Sequence, residues 1–143
     1  MGINIAWGDG HLEVKAIDNE LLVKAGNLKI MLRPRVIIVE GVQTEHEVGE
    51  AGKRSKKKYV YIYPDQGIRS LEGRGKIINE YNMDRFEIKY QRLSFNEYLT
   101  IITPGEYLYD YIIITRDTIT IAMSGKREPY FYKENNRLTI YLV

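Results

Sequence analysis

The chain is 143 residues long, 44% apolar and 28% charged, with 21 basic residues against 19 acidic ones and a net charge of +2. This excludes a disordered polyelectrolyte, and the length suffices for one domain, residues 1–143, whose core needs no covalent staples. The absence of cysteine excludes a disulfide framework, a thiolate nucleophile and a thiolate zinc site.

The N-terminus, MGINIAWGDGHLEV, has no basic leader followed by a long apolar stretch, so no signal peptide is expected. No apolar run reaches the length of a membrane helix. The expected location is therefore intracellular (cytoplasmic) or within a virion, with no membrane partner. Twelve tyrosines, abundant isoleucine, balanced Lys and Glu and the lack of Cys resemble the composition of proteins from hyperthermophilic archaea and their viruses.

Apolar residues alternate at period two through most of the chain, the signature of half-buried strands. INIAW (3–7) starts a strand that the turn signal at 8–10 ends. HLEVKAI (11–17) and ELLVKA (20–25) form a hairpin across Asp18-Asn19. Gly26-Asn27 turns into LKIML (28–32), and Pro34 punctuates before RVIIVEGV (35–42), read as one buried strand. QTEHEV (43–48) extends that strand or pairs beside it. Residues 49–57, GEAGKRSKK, contain no large apolar residue and read as a solvated basic loop.

KYVYIY (58–63) is a strand closed by Pro64-Asp65. Gly67, Gly73 and Gly75 oppose helix in the irregular stretch that follows. KIINEY (76–81) and RFEIKYQ (85–91) alternate as strands. Ser94 to Glu97 matches a capping box, which suggests a short helical turn before a strand through the β-branched residues 100–103. The chain ends in YLYDYIII (107–114), TITIAM (118–123), PYFYK (129–133) and RLTIYLV (137–143), read as an antiparallel meander with short loops. About ten to thirteen strands with little helix predict an all-β fold, an antiparallel β-sandwich or jelly roll.

Four constellations bear on function. Tyr59, Tyr61 and Tyr63 share one parity on their strand, as do Tyr107, Tyr109 and Tyr111, while Tyr130 and Tyr132 form a shorter pair. Such rows act as cross-strand ladders or as contact surfaces, because Tyr offers a large rigid area with a polar tip. Lys53, Arg54, Lys56, Lys57 and Lys58 could meet phosphates beside the first Tyr row, as single-strand binders do. Glu45, Glu47 and Glu50 just upstream partly cancel that field, and the chain lacks the basic excess of a dedicated nucleic-acid binder.

Pro64-Asp65 followed by Glu87-Ile88-Lys89 is similar to the motif of PD-(D/E)xK nucleases, in which the carboxylates hold Mg²⁺ and the Lys orients water. Glu13-Val14-Lys15 also fits half of that motif, and the helix that such nucleases place before the strands has no counterpart here. His11 and Glu13 share a strand parity and, with His46, supply the residue types of a two-His, one-carboxylate iron site. A polar solvent face explains the same three residues.

No phosphate-binding Gly loop and no nucleophile elbow occur. The leading expectation is a non-enzymatic protein acting through self-association or partner docking on Tyr-rich β-faces, such as a viral or archaeal coat or accessory component. It needs no cofactor. The alternatives are a nucleic-acid-binding module and a Mg²⁺-dependent nuclease.

Overall fold

The computed structural model describes residues 2–7, 10–18, 20–50, 58–64, 76–83, 85–93, 96–115, 117–123 and 128–143. Its strands are β1 (Gly2–Trp7), β2 (Gly10–Ile17), β3 (Glu20–Ala25), β4 (Leu28–Leu32), β5 (Val36–Glu40), β6 (Val42–Glu50) and β7 (Lys58–Pro64). The remainder are β8 (Lys76–Met83), β9 (Phe86–Leu93), β10 (Asn96–Ile102), β11 (Tyr111–Ile114), β12 (Ile119–Met123), β13 (Pro129–Glu134) and β14 (Arg137–Leu142). There is no helix among the described residues. Period-two alternation with β-branched residues and short polar turns leaves the backbone only this way to satisfy its hydrogen bonds.

The strands form two antiparallel seven-stranded sheets in a sandwich-like fold. Sheet A has the order β1-β2-β3-β4-β5-β14-β13, and sheet B the order β6-β7-β12-β11-β10-β9-β8. The expected C-terminal meander is realised as two hairpins, β11–β12 in sheet B and β13–β14 in sheet A. Residues 94 and 95, where a helical turn was expected, lie outside the described residues, and strand β10 already begins at Asn96.

Alternate residues of both sheets point into one apolar cluster. Leu12, Leu21, Ile30 and Ile37 enter it from sheet A, and Val60, Ile88, Ile101 and Ile121 from sheet B. Each such side chain contributes about 1.5–3 kcal/mol relative to an exposed one.

The stretch 35–42 is not one strand. It divides at Gly41, where the chain leaves β5 in sheet A and enters β6 in sheet B. Gly41 has φ +92°, and a Cβ there would stand 2.5 Å from the Asn27 carbonyl oxygen. Its N–H donates to the Asn136 carbonyl at 2.9 Å. Both the dihedral and the close approach of backbone to backbone require glycine. Sequence alternation alone could not show this, since Val-Ile-Ile-Val-Glu-Gly-Val reads as continuous.

The segment expected to open the strand 107–114 is also different. Residues 107–110 form successive bends, and β11 begins only at Tyr111. The bends tie the two sheets together. The Tyr109 hydroxyl donates to the Arg33 carbonyl at 2.9 Å, and the Leu108 N–H donates to the Pro34 carbonyl at 2.9 Å. Tyr107 packs edge-on against Phe86 and Tyr109, with ring centroids 5.3 and 5.5 Å apart. The Thr103 hydroxyl closes the base of the loop on the carbonyls of Tyr109 and Asp110.

Two substitutions test these joints by thermal unfolding. Gly41→Ala is expected to cost about 1–3 kcal/mol, from a disfavoured dihedral and a clash with backbone. Tyr109→Phe leaves the Arg33 carbonyl without that donor and is expected to cost about 1 kcal/mol. Tyr109→Ala also opens a cavity and is expected to cost about 3–5 kcal/mol.

Candidate functional site

The tyrosines expected to form contact faces separate into three environments. Tyr107 and Tyr109 are core residues, Tyr109 being 1% exposed, so they offer no surface to a partner. This removes them from the expected interface. Parity along 107–111 fails as a guide there because the backbone bends before β11 begins.

Tyr59, Tyr61 and Tyr111 gather on the outer face of sheet B. Val60 and Ile62 of β7 are buried inward, so Tyr59 and Tyr61 turn outward, their rings stacked at 6.3 Å and 25°. β12 separates β7 from β11 and places the buried Ala122 between Tyr59 and Tyr111 in register. Across that small residue the Tyr111 and Tyr59 hydroxyls are hydrogen-bonded. Ile102, an exposed apolar residue, stands opposite Tyr111 on the next strand. Sequence analysis grouped Tyr111 with Tyr107 and Tyr109, and only strand order reveals its link to Tyr59.

The third environment is the outer face of sheet A, at the β13–β14 end. Tyr130 and Tyr132 are 61% and 57% exposed, and Tyr141, not singled out from the sequence, is 47% exposed. Tyr130 and Tyr141 are directly opposed. Register extends this aromatic end into a row that crosses five strands, Tyr132, Thr139, Ile38, Met31 and Leu22, of which Ile38 and Met31 are half-buried and Thr139 and Leu22 buried. A parallel row on one flank is charged, running Glu134, Arg137, Glu40, Lys29, Lys24 and Glu13. Within it the Arg137 guanidinium meets the Glu40 carboxylate at 3.0 Å, an exposed pair contributing about 0–1 kcal/mol. An apolar stripe rimmed by charge is how interaction surfaces are built.

The remaining candidates do not assemble. Lys53, Arg54, Lys56 and Lys57 lie outside the described residues, as does Asp65. Lys58 opens β7, where Glu50 of β6 stands opposite it in register, and Tyr63 follows on the same strand. Glu87 and Lys89 share the outer face of β9, opposite Asn82 and Glu80 of β8. His11 is exposed on β2 of sheet A. Glu13 on the same face pairs with Lys15 at 2.9 Å, and that hydrogen bond holds its carboxyl below the usual range. His46 lies on β6 of sheet B, opposite Ile62, so the fold does not bring the three residues to one face. No group of three or more His, Asp or Glu residues among the described ones is placed to hold a metal ion.

One polar cluster was not anticipated. Glu97 of β10 is buried on the inner face of sheet B and accepts a hydrogen bond from the Tyr90 hydroxyl at 2.7 Å. Arg92 stands opposite Glu97 in register, and its Nε is buried without a hydrogen-bond partner among the described residues. The sequence signal was a charged residue at an inward parity, Glu97 ahead of Leu99 and Ile101. Burial and, second, the bond to Glu97 push the Tyr90 phenol well above its usual range.

Comparison with protein-family models, curated proteins and solved structures returned no match.

Burial pushes Tyr107 up to about 12, and Tyr109 also upward. The hydrogen bond to Tyr59, then burial, raises Tyr111 to about 12. An unfolded phenol titrates near 10. Stability from these groups is therefore complete below pH 10 and is lost as pH rises through about 12. Denaturant midpoints are expected to hold steady up to pH 10 and then fall. Tyrosinate absorbance is expected to rise in two stages, the second coinciding with unfolding.

Proposed function

We propose that this chain is a non-enzymatic interaction protein that docks a protein partner, or further copies of itself, on its outer aromatic β-faces. The observation that carries this reading is the outer face of sheet A. There Tyr130, Tyr132 and Tyr141 continue into the half-buried Ile38 and Met31 beside a charged row. Rigid aromatic side chains at the end of such a row give contact area at low entropic cost, and the charged row beside them fixes register. A structural or accessory role in a larger assembly, including a coat, uses a surface of this kind.

Light scattering over a range of micromolar concentrations tests it. Association is expected, and Tyr132→Glu or Tyr141→Glu is expected to weaken it at least tenfold with little change in melting temperature, because both side chains are exposed. A protein that stays monomeric across pH and salt, and binds no protein partner through this face, refutes the reading.

The stacked pair Tyr59 and Tyr61, directly after Lys58, favours nucleic-acid binding as a second reading. Successive bases would stack on the rings while the basic residues 53–58 meet phosphates. The register of β6, which sets Glu47 opposite Tyr61 and Glu50 opposite Lys58, works against it. Fluorescence anisotropy with labelled single-stranded DNA and RNA at two salt concentrations decides the matter. This reading requires salt-sensitive binding that falls at least tenfold in the Lys56→Glu, Lys57→Glu, Lys58→Glu triple variant.

A further inference from the structure

An open sheet must deal with its edges, because an edge strand presents a row of backbone N–H and C=O groups that another chain can pair with. The two sheets end in β13, β6, β8 and β1. Three of these carry the residues that discourage pairing. β13 begins with Pro129, and Lys133 stands at an inner-face position opposite Leu138. β6 contains Glu45, Glu47 and Glu50, and β8 contains Lys76 and Glu80. β1, with the sequence Gly-Ile-Asn-Ile-Ala-Trp, has no charge and no proline.

We propose that β1 is a strand-addition edge, and that its occupant is β1 of a second copy, paired antiparallel about a two-fold axis at Asn4. Residues directly opposed in an antiparallel pair share a face. A two-fold axis at Asn4 sets Ile3 opposite Ile5 of the other copy, Gly2 opposite Ala6, and Asn4 opposite Asn4. Ile5 is already buried, opposite Leu12 of β2, whereas Ile3, opposite Val14, is only partly covered. The pairing therefore completes the inner apolar face with the same residue type on both sides. On the outer face, Asn4 meets its equivalent, and Glu13, its neighbour on β2, is kept one strand further back. No like charges meet.

The equivalent pairing of β13 is poorer. An axis at Phe131 sets Glu128 opposite Glu134, and an axis at Tyr132 sets Phe131 opposite Lys133. A second copy thus fits the β1 edge better than the β13 edge. This interface is independent of the aromatic face in the functional reading above, since β1 and β13 lie at opposite ends of sheet A.

The test combines light scattering with hydrogen exchange of the full chain. The wild-type protein is expected to dimerise with rising concentration while the amides of residues 2–7 become more protected. Asn4→Lys sets two ammonium groups on opposed positions about 5 Å apart at Cβ. Within one chain it faces Glu13, so folding is expected to survive. It is expected to weaken the dimer at least tenfold, and mixing it with Asn4→Asp is expected to restore a heterodimer. A monomer at every concentration overturns the proposal. So does a dimer whose β1 amides exchange at a concentration-independent rate. A dimer lost in Tyr132→Glu but kept in Asn4→Lys also overturns it, while supporting the aromatic face. If Asn4→Lys fails to fold, the exchange of the wild-type β1 amides decides alone.

Discussion

The architecture depends on one backbone constraint, the passage of the chain from sheet A to sheet B at Gly41. A single residue separates β5 from β6, and it must hold φ +92° with the Asn27 carbonyl oxygen 2.5 Å from where a Cβ would stand. No L side chain fits there. Beyond this residue the chain leaves the first sheet, and β6 to β12 build the second. The chain returns only with β13 and β14, which pair onto β5 and complete the first layer.

A second joint holds the layers together from the other side. The bends at 107–110 reach across to the 33–35 connection, and the Tyr109 hydroxyl and Leu108 amide satisfy carbonyls that no strand partner reaches. Leu142 does the same for the Arg35 carbonyl at the end of β14. The carbonyls of the irregular connection at 33–35 are thus paired from both sheets. Burial of Tyr107 and Tyr109 follows from this task, and it withdraws them from any surface role.

With the interior assigned, the outer faces hold the residues on which the proposed docking rests. Sheet B shows Tyr59, Tyr61 and Tyr111 joined by stacking and a hydrogen bond. Sheet A shows an apolar row beside a charged one. Neither arrangement contains a converging set of three metal ligands among the described residues. The docking proposed above rests on these two faces, and the proposed strand addition on the uncharged edge at β1.

Much of the fold was legible in the sequence. Strands β3 and β4 fall where the alternation of the sequence places them, because the register follows from the hydrophobic pattern. The outward set of Tyr59 and Tyr61 followed from Val60 and Ile62 on the same strand. Parity, however, states which residues share a face only while the strand stays regular. It could not show the break at Gly41 or the bends at 107–110. It also could not show which strands become neighbours, and the two aromatic surfaces depend on that. Tyr111 meets Tyr59 because β12 lies between their strands, and Tyr132 joins Ile38 and Met31 because β14 pairs with β5. Local alternation determined the elements and their inner faces. Long-range pairing, set by the burial of two sheets against one core, decided the surfaces they present.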